Sequence, residues 1–355
     1  MLQKVITKQH EDIVSLVAAH TQVSKKNIFT FLDFTSFLSE LLKLSANWSH
    51  LISIGAVIPE VAIAADRANL ETKELLGKTP FSNKIDQFLI QLENINQPIY
   101  LSNPNRITGG NFSLKDINKI MNSFPDSLII IDEYYFDFFG ITANSLAKEN
   151  NNVVVLRSFT SAFGIGSCDT GYAIASKKLI EQIEYLVGQK TISATIRKSI
   201  LATIFNDEAS RLYLKEINNE SLRVATLLNK LGVQSRIVAG DFLLIRVKDP
   251  VSFGNFLIKY KIDIENLDGY PQMKKYMKYR IQSRLSNDKF LDVLNRMPSH
   301  FYTMSKKGLS AFSIRRSGEN IIKSESHLGT NKTDFQNNNR IDANKMNSNK
   351  KVFLK

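Results

Sequence analysis

The sequence predicts an α/β protein, with a mostly parallel sheet flanked by helices and a smaller C-terminal α+β unit. Three observations carry this expectation. Short β-branched runs recur through the first half of the chain. Segments with apolar residues at helical spacing lie between them. After about residue 180 this alternation gives way to a long helical stretch and then to further strands. Strands that read as unbroken apolar runs are buried on both faces, as in a parallel sheet covered by helices on each side.

The elements follow in order. Ile13, Leu16 and Val17 mark a helix over 10–20, and Phe34, Phe37, Leu38, Leu41 and Leu42 mark another over 33–45. Residues 51–57, 98–101, 128–132, 153–156 and 171–175 predict strands. Ser113, with Asp116 three positions on, predicts a helix start closed by a capping box. The stretch 176–232 predicts a long helical region, and 242–247 and 277–282 predict strands of the smaller unit. The expected domains are a large α/β domain over 1–205, a small α+β domain over 206–300 and a tail over 301–355.

Composition narrows the function classes. The chain has 355 residues, 43% of them hydrophobic, enough for a sizeable core. Its formal charge is +12, but residues 301–355 alone carry +7, so the body is near balance. That tail also holds eight asparagines between Asn320 and Asn349 and few large apolar residues. It cannot offset its ordering entropy by burial and is expected to be disordered. Such a basic arm either contacts nucleic acid or anionic lipid, or simply stays solvated. The body carries no nucleic-acid signal of its own. Cys168 is the only cysteine, which excludes an intramolecular disulfide, and the five histidines are scattered, so no metal site is expected. The most apolar stretch, 51–65, is broken by Pro59 and Glu60, and the first residues are polar and charged, so neither a membrane span nor a signal peptide is expected. A cytoplasmic location follows as the expectation.

Ligands of α/β sheets sit at the carboxyl ends of the strands, so the residues after each strand are informative. Ser102-Asn-Pro-Asn-Arg-Ile-Thr-Gly-Gly110 follows the second predicted strand, and Asp132-Glu-Tyr-Tyr135 closes the third. Arg157-Ser-Phe-Thr-Ser-Ala-Phe-Gly-Ile-Gly-Ser-Cys-Asp-Thr-Gly-Tyr172 follows the fourth. In this order and spacing they resemble the fold-type I pyridoxal-phosphate enzymes, specifically class I/II aminotransferases near histidinol-phosphate aminotransferase and threonine-phosphate decarboxylase. The family's corresponding segments are N-P-N-N-P-T-G, D-E-A-Y and S-F-S-K-A-F-G-L-A-G-L-R-x-G-Y. The resemblance covers roughly residues 10–297, and its third segment is the most specific.

The resemblance implies roles for several residues. Asp132 falls on the aspartate that pairs with the cofactor's pyridinium nitrogen. Tyr135 falls on the tyrosine that hydrogen-bonds the cofactor's phenolic oxygen, and Ser158 on a serine that helps hold the phosphate. Arg280 falls on the arginine that clamps a substrate carboxylate, a task suited to a planar fork. Other positions depart from the pattern. The Schiff-base lysine falls on Ser161, which can neither form an imine nor shuttle the proton. The phosphate-binding arginine falls on Asp169, a change of two charge units beside a dianion. Each unit-charge contact at ~4 Å is worth about 4 kcal/mol before screening at an effective dielectric near 20. Arg106 and Ile107 replace the asparagine and proline before T-G. Arg106 supplies a new cation, expected on the side of the ring away from the phosphate, and is a candidate substrate-binding residue. The glycine turn that holds the phosphate falls on Phe29-Thr-Phe-Leu-Asp-Phe-Thr35, with Asp33 and no glycine. Glu60 and Val61 stand where an aromatic ring would stack on the cofactor. The family also carries a further N-terminal segment ahead of the helix matching residues 10–20.

These departures leave three readings. The first is a degenerate homologue that forms no internal aldimine and serves as one subunit of a homodimer, or of a heterodimer with an active paralogue. The second is an enzyme with altered chemistry that holds a small amino-acid-like ligand at Arg280, with pyridoxal or pyridoxamine phosphate or without a cofactor. The third is an aminotransferase whose lysine lies elsewhere. Lys177 and Lys178 read as solvated lysines at a helix start, and Cys168 as a small packed residue.

Overall fold

The computed structural model describes residues 13–44, 47–92, 96–159, 169–188, 194–204 and 207–302. Ser161, Cys168 and residues 303–355 of the basic tail lie outside the described residues. The described residues begin with a helix over 13–21 (α1), β1 (Ile28–Phe31) and α2 (Phe34–Leu41), then β2 (His50–Ile54), α3 (Pro59–Arg67) and β3 (Glu71–Leu75). It continues through α4 (Asp86–Leu89), β4 (Ile99–Ser102), α5 (Leu114–Ser123), β5 (Ile129–Asp132), α6 (Phe136–Phe139), α7 (Asn144–Glu149), β6 (Val153–Ser158) and β7 (Gly171–Ala175). Three helices follow, α8 (Lys177–Val187), α9 (Ala194–Ile204) and α10 (Asp207–Lys230). The last elements are β8 (Ser235–Ile237), β9 (Phe242–Arg246), α11 (Pro250–Ile258), β10 (Glu265–Asn266), β11 (Tyr276–Arg280) and α12 (Arg284–Asn295).

The first seven strands form one sheet in the order β1-β7-β6-β5-β4-β2-β3. The pairs β2–β3, β2–β4, β4–β5 and β5–β6 are parallel, and β7 runs antiparallel to both neighbours. Its strands alternate between two buried faces. Ile130, Val154 and Leu156 pack with α2, α3 and α8, whereas Ile129, Ile131, Val153 and Val155 pack with α1, α5 and α7. Helices on both faces follow from strands with no polar side, as expected for a mostly parallel sheet. The second sheet, β10-β11-β9-β8, is antiparallel throughout and lies within residues 235–280.

Local signals account for several boundaries. Ser113 accepts a hydrogen bond from the Asp116 N–H at 3.2 Å, and Asp116 accepts one from the Ser113 N–H at 3.0 Å. That is the anticipated capping box on α5. Strand β3 escaped the apolar pattern because its sequence, Glu-Thr-Lys-Glu-Leu, lies on the sheet edge with only Leu75 buried. Charged residues on an edge strand discourage pairing with other chains. The long helical stretch expected over 176–232 is corrected to three helices. Helix α8 stops at Gly188, whose φ of +66° ends the helical turn.

Two glycines permit close approaches. A Cβ on Gly171 would lie 2.2 Å from the Arg157 carbonyl oxygen and 2.6 Å from Phe31 Cζ, so Phe31 can cross the start of β7 only over a glycine. Gly109 has a φ of +65°, and a Cβ there would sit 2.3 Å from Val238 Cβ. The loop after β4 therefore presses against the segment between β8 and β9.

Helices α10 and α12 are joined by a polar clamp. Arg223 donates to both Glu220 carboxylate oxygens at 2.8 and 2.7 Å and pairs with Asp288 at 2.7 Å. Asn287, fully buried, donates to Glu220 at 3.0 Å and accepts from the Tyr279 hydroxyl at 2.9 Å. The hydrogen bonds from Arg223 hold the Glu220 carboxyl below its ordinary pKa, with burial opposing and Asn287 reinforcing them. A depressed carboxyl contributes stability that is complete above its unfolded value, about pH 4.3. That contribution is lost as pH falls through the folded value. Glu220→Gln is therefore expected to cost about 1.5–3 kcal/mol at neutral pH, the range for hydrogen bonds to charged groups. The gap from the wild type should close in acid, and urea titrations at both pH values check it.

Candidate functional site

The carboxyl ends of β4, β5 and β6 carry the residues that meet at the candidate site. In parallel register Ser102 pairs with Asp132 and Tyr100 with Ile130, so Tyr100 is the diagonal neighbour of Asp132 on the same face. The Tyr100 hydroxyl donates to Asp132 Oδ2 at 2.6 Å, and the Tyr134 N–H donates to Oδ1 at 3.0 Å. Arg106 Nη1 lies 3.6 Å from Oδ2. Burial, then the Asp132 charge, holds the Tyr100 hydroxyl well above its ordinary pKa. Burial opposes the charge on Arg106, but Asp132 and then Tyr100 outweigh it and leave the guanidinium firmly charged.

The loop over 103–110 aims Arg106 inward. Asn105 Oδ1 accepts from the N–H groups of Ile107 and Thr108 at 3.1 and 3.0 Å, which winds the chain into a side-chain-capped turn. Asn105 Nδ2 donates to the Ala56 carbonyl at 2.8 Å and ties that turn to the end of β2. Asn103 Oδ1 accepts from the Phe112 N–H at 2.7 Å and closes the loop's base. The guanidinium then lies 3.9 Å over the Tyr134 ring and 5.6 Å from that of Phe34. Its side chain is only 17% exposed.

A cavity of about 280 Å³ remains there, bordered by Phe31, Phe34, Arg106, Asp132, Ser158 and Asp169. Four positions singled out from sequence thus come together: Asp132, Ser158, Arg106 and Asp169. Arg106 shares this cavity with Ser158 and Asp169. The cause is the turn at Asn105, which points residue 106 into the cleft. Burial pushes the Asp169 carboxyl up, and Asp33 and Glu60 push the same way against Arg106. Asp33 caps α2, accepting from the Ser36 N–H at 2.6 Å. A carboxylate of the chain itself therefore serves the donors of that helix start.

Tyr135 and Arg280 meet elsewhere. The Tyr135 hydroxyl donates to Asp241 Oδ1 at 3.0 Å, and Arg280 Nε lies 2.9 Å from Asp241 Oδ2. Asp241, just ahead of β9, is buried and draws both groups to the seam between the sheets. Burial, then the Asp241 charge, raises the Tyr135 hydroxyl well above its ordinary pKa, and Asp241 also raises Arg280. The Arg280 side chain remains 66% exposed. The partner Asp241 was not legible in the sequence, because it lies 106 residues from Tyr135.

A second group missed in the sequence lies on the opposite face. Arg157 Nε donates to Glu133 Oε2 at 2.9 Å, and Thr142 and the Ala143 N–H donate to the same carboxylate at 2.9 and 2.6 Å. The Arg157 guanidinium lies 3.5 Å over the Phe136 ring, and both members of the pair are buried. Alternation offered a signal: successive residues of an extended chain point to opposite faces, so Glu133 must leave the face of Asp132. Its partner could not be named before β5 and β6 were paired.

The sequence model of the family described as aminotransferase class I and II matches residues 62–264, more than half of the chain. A histidinol-phosphate aminotransferase of Ruminiclostridium cellulolyticum is 27% identical over 217 residues, 60% of each chain. A dihydroxyacetone phosphate transaminase of Campylobacter jejuni is 29% identical over 223 residues, again 60% of each. The chain thus spans about three-fifths of the length of these curated relatives. Among solved structures, histidinol-phosphate aminotransferase from Sinorhizobium meliloti in complex with pyridoxal-5'-phosphate superposes with a TM-score of 0.72. The alignment covers 81% of both chains at 15% identity. L-threonine-O-3-phosphate decarboxylase from Porphyromonas gingivalis gives 0.67, covering 80% of this chain and 87% of that one at 19% identity. The fold is thus the pyridoxal-phosphate fold-type I architecture. Among the described residues no helix is long and apolar enough to cross a membrane.

Proposed function

Because the chain belongs to the class I and II aminotransferase family, we propose that it is a degenerate member that forms no pyridoxal-phosphate–lysine aldimine. On this proposal it acts as a binding subunit, paired with a second copy or with an active paralogue. The observation that carries the reading is the seat of Arg106. Its guanidinium sits against Asp132, the carboxylate that in the family serves the cofactor ring.

Further features support the same reading. Asp132 accepts from Tyr100 and the Tyr134 N–H as well, so its oxygens are already served by this chain. At the phosphate end Asp33 caps α2, and Asp169 and Glu60 add negative charge. Carboxylates around a dianion repel it, and Arg106, already committed to Asp132, is a weak counterweight. On our reading the residues present do not fit pyridoxal phosphate. Ser161 at the lysine position belongs to the same proposal, since a hydroxyl cannot form an imine.

A titration of the purified protein with pyridoxal phosphate tests this. No absorbance in the visible aldimine region is expected, and borohydride reduction followed by mass spectrometry should find no modified lysine. One lysine modified stoichiometrically in the cleft would sink the proposal and restore an aminotransferase with a relocated base. The exposure of Arg280 favours one competing reading, a lysine-independent enzyme that holds an amino-acid-like substrate there. Tight binding of an α-amino acid, lost in Arg280→Ala, would support that reading instead.

A further inference from the structure

A larger cavity, of about 510 Å³, lies on the other side of the 103–110 loop from Arg106. It opens at the carboxyl ends of β2 and β4. Strand β2 is followed outward by β3, whereas β4 is followed inward by β5, so the strand order reverses between them. Crevices at such switch points are where open α/β sheets bind ligands. Residues 270–273, from the connection between β10 and β11, close the cavity, and Gln272 Nε2 pins this cover by donating to the Gly77 carbonyl at 2.7 Å.

The lining selects a chemistry. Ile54, Phe88, Phe112 and Met273 make the walls apolar. Among the described residues Glu74 is the only charged side chain on the lining, and no Lys, Arg or His borders it. Its Oε1 accepts from the Val57 N–H at 2.8 Å, and Oε2 has no hydrogen bond among the described residues. The Tyr270 hydroxyl is the other titratable group, pushed up to about 12 by burial and then by Glu265, Glu74 and Glu60. It is a neutral phenol at physiological pH, able to donate or accept. An anion would meet the Glu74 charge unneutralised, and a neutral apolar molecule would leave its Oε2 without a partner. A cation on an apolar body satisfies both the carboxylate and the walls.

We propose that this cavity is a binding site for a small apolar amine in its ammonium form, with Glu74 as counter-ion and Tyr270 as hydrogen-bond partner. The proposal is independent of whether pyridoxal phosphate binds at Asp132.

Calorimetric titration of the full chain with 2-phenylethylamine tests it, with 2-phenylethanol and 3-phenylpropanoate as neutral and anionic comparators of similar shape. The amine is expected to bind at least tenfold more tightly than either comparator. Glu74→Gln keeps an acceptor for the Val57 N–H and should erase that preference. Ser82→Phe puts a ring on the cavity lining and should abolish binding, with thermal melting of both variants confirming that they fold. No preference for the amine, a preference that survives Glu74→Gln, or binding that survives Ser82→Phe in folded protein would each overturn the assignment.

Discussion

Glu133→Gln is expected to lower the unfolding free energy by about 3–5 kcal/mol, the range for removing one partner of a buried ion pair. The loss arises because Arg157, 5% exposed, would be left without its carboxylate. The Gln side chain keeps one acceptor oxygen: turned to the Ala143 N–H, it leaves its amide nitrogen facing Thr142 and Arg157 Nε, so lost charge and a lost acceptor act together. Glu133→Leu combined with Arg157→Met removes both charges and should recover part of the loss, since apolar replacements of buried pairs are often near neutral, while the Ala143 N–H and Thr142 hydroxyl still lose their acceptor. Urea denaturation of the wild type, the single variant and the double variant gives the answer. A single variant within about 1 kcal/mol of the wild type would mean that the pair is solvated and does not brace β5 against β6.

Arg106→Ala is expected to destabilise the protein by about 3 kcal/mol, the low end of the same range, because Arg106 retains some exposure and its 3.6 Å contact is longer. Part of the loss is the stack on Tyr134, a cation–π contact worth about 0.5–2 kcal/mol. The truncation also opens a slot shaped by Tyr134, Phe34 and Asp132. Methylguanidinium at millimolar concentration should enter that slot and raise the melting temperature of the variant while leaving the wild type unmoved. Equal responses from the two proteins would show that Arg106 does not fill a discrete site beside Asp132. The rescue thus reports on the seat of Arg106 separately from any test of cofactor binding.

Much of the architecture was legible beforehand because it rests on local physics. Unbroken β-branched runs such as 128–131 and 153–156 can be buried only on both faces, which implies helices on each side of the sheet. The capping box at Ser113 uses residues three positions apart, so a linear reading finds it. Strand β3 was not legible, because an edge strand needs no apolar signature and Glu71-Thr-Lys-Glu-Leu75 has almost none. The break after α8 was missed because Gly188 alone marks it within a long run of good helix formers.

For the candidate site, the sequence by itself determined which residues stand at the strand ends, and with them the family. It also located the departures at Arg106 and Asp169, since these are facts about positions in a pattern. Only the tertiary structure decided what those residues do to one another. Arg106 could be placed on Asp132 only after the Asn105 turn was built, and Tyr135 and Arg280 could be assigned to Asp241 only after the two sheets were brought together. The same holds for the Glu74 cavity, whose walls come from β2, the loop after β4, residues 76–88 and the cover at 270–273. A chain reveals its covalent neighbours directly, whereas charge pairing and cavity shape depend on distances between segments far apart in sequence, and folding alone sets those distances.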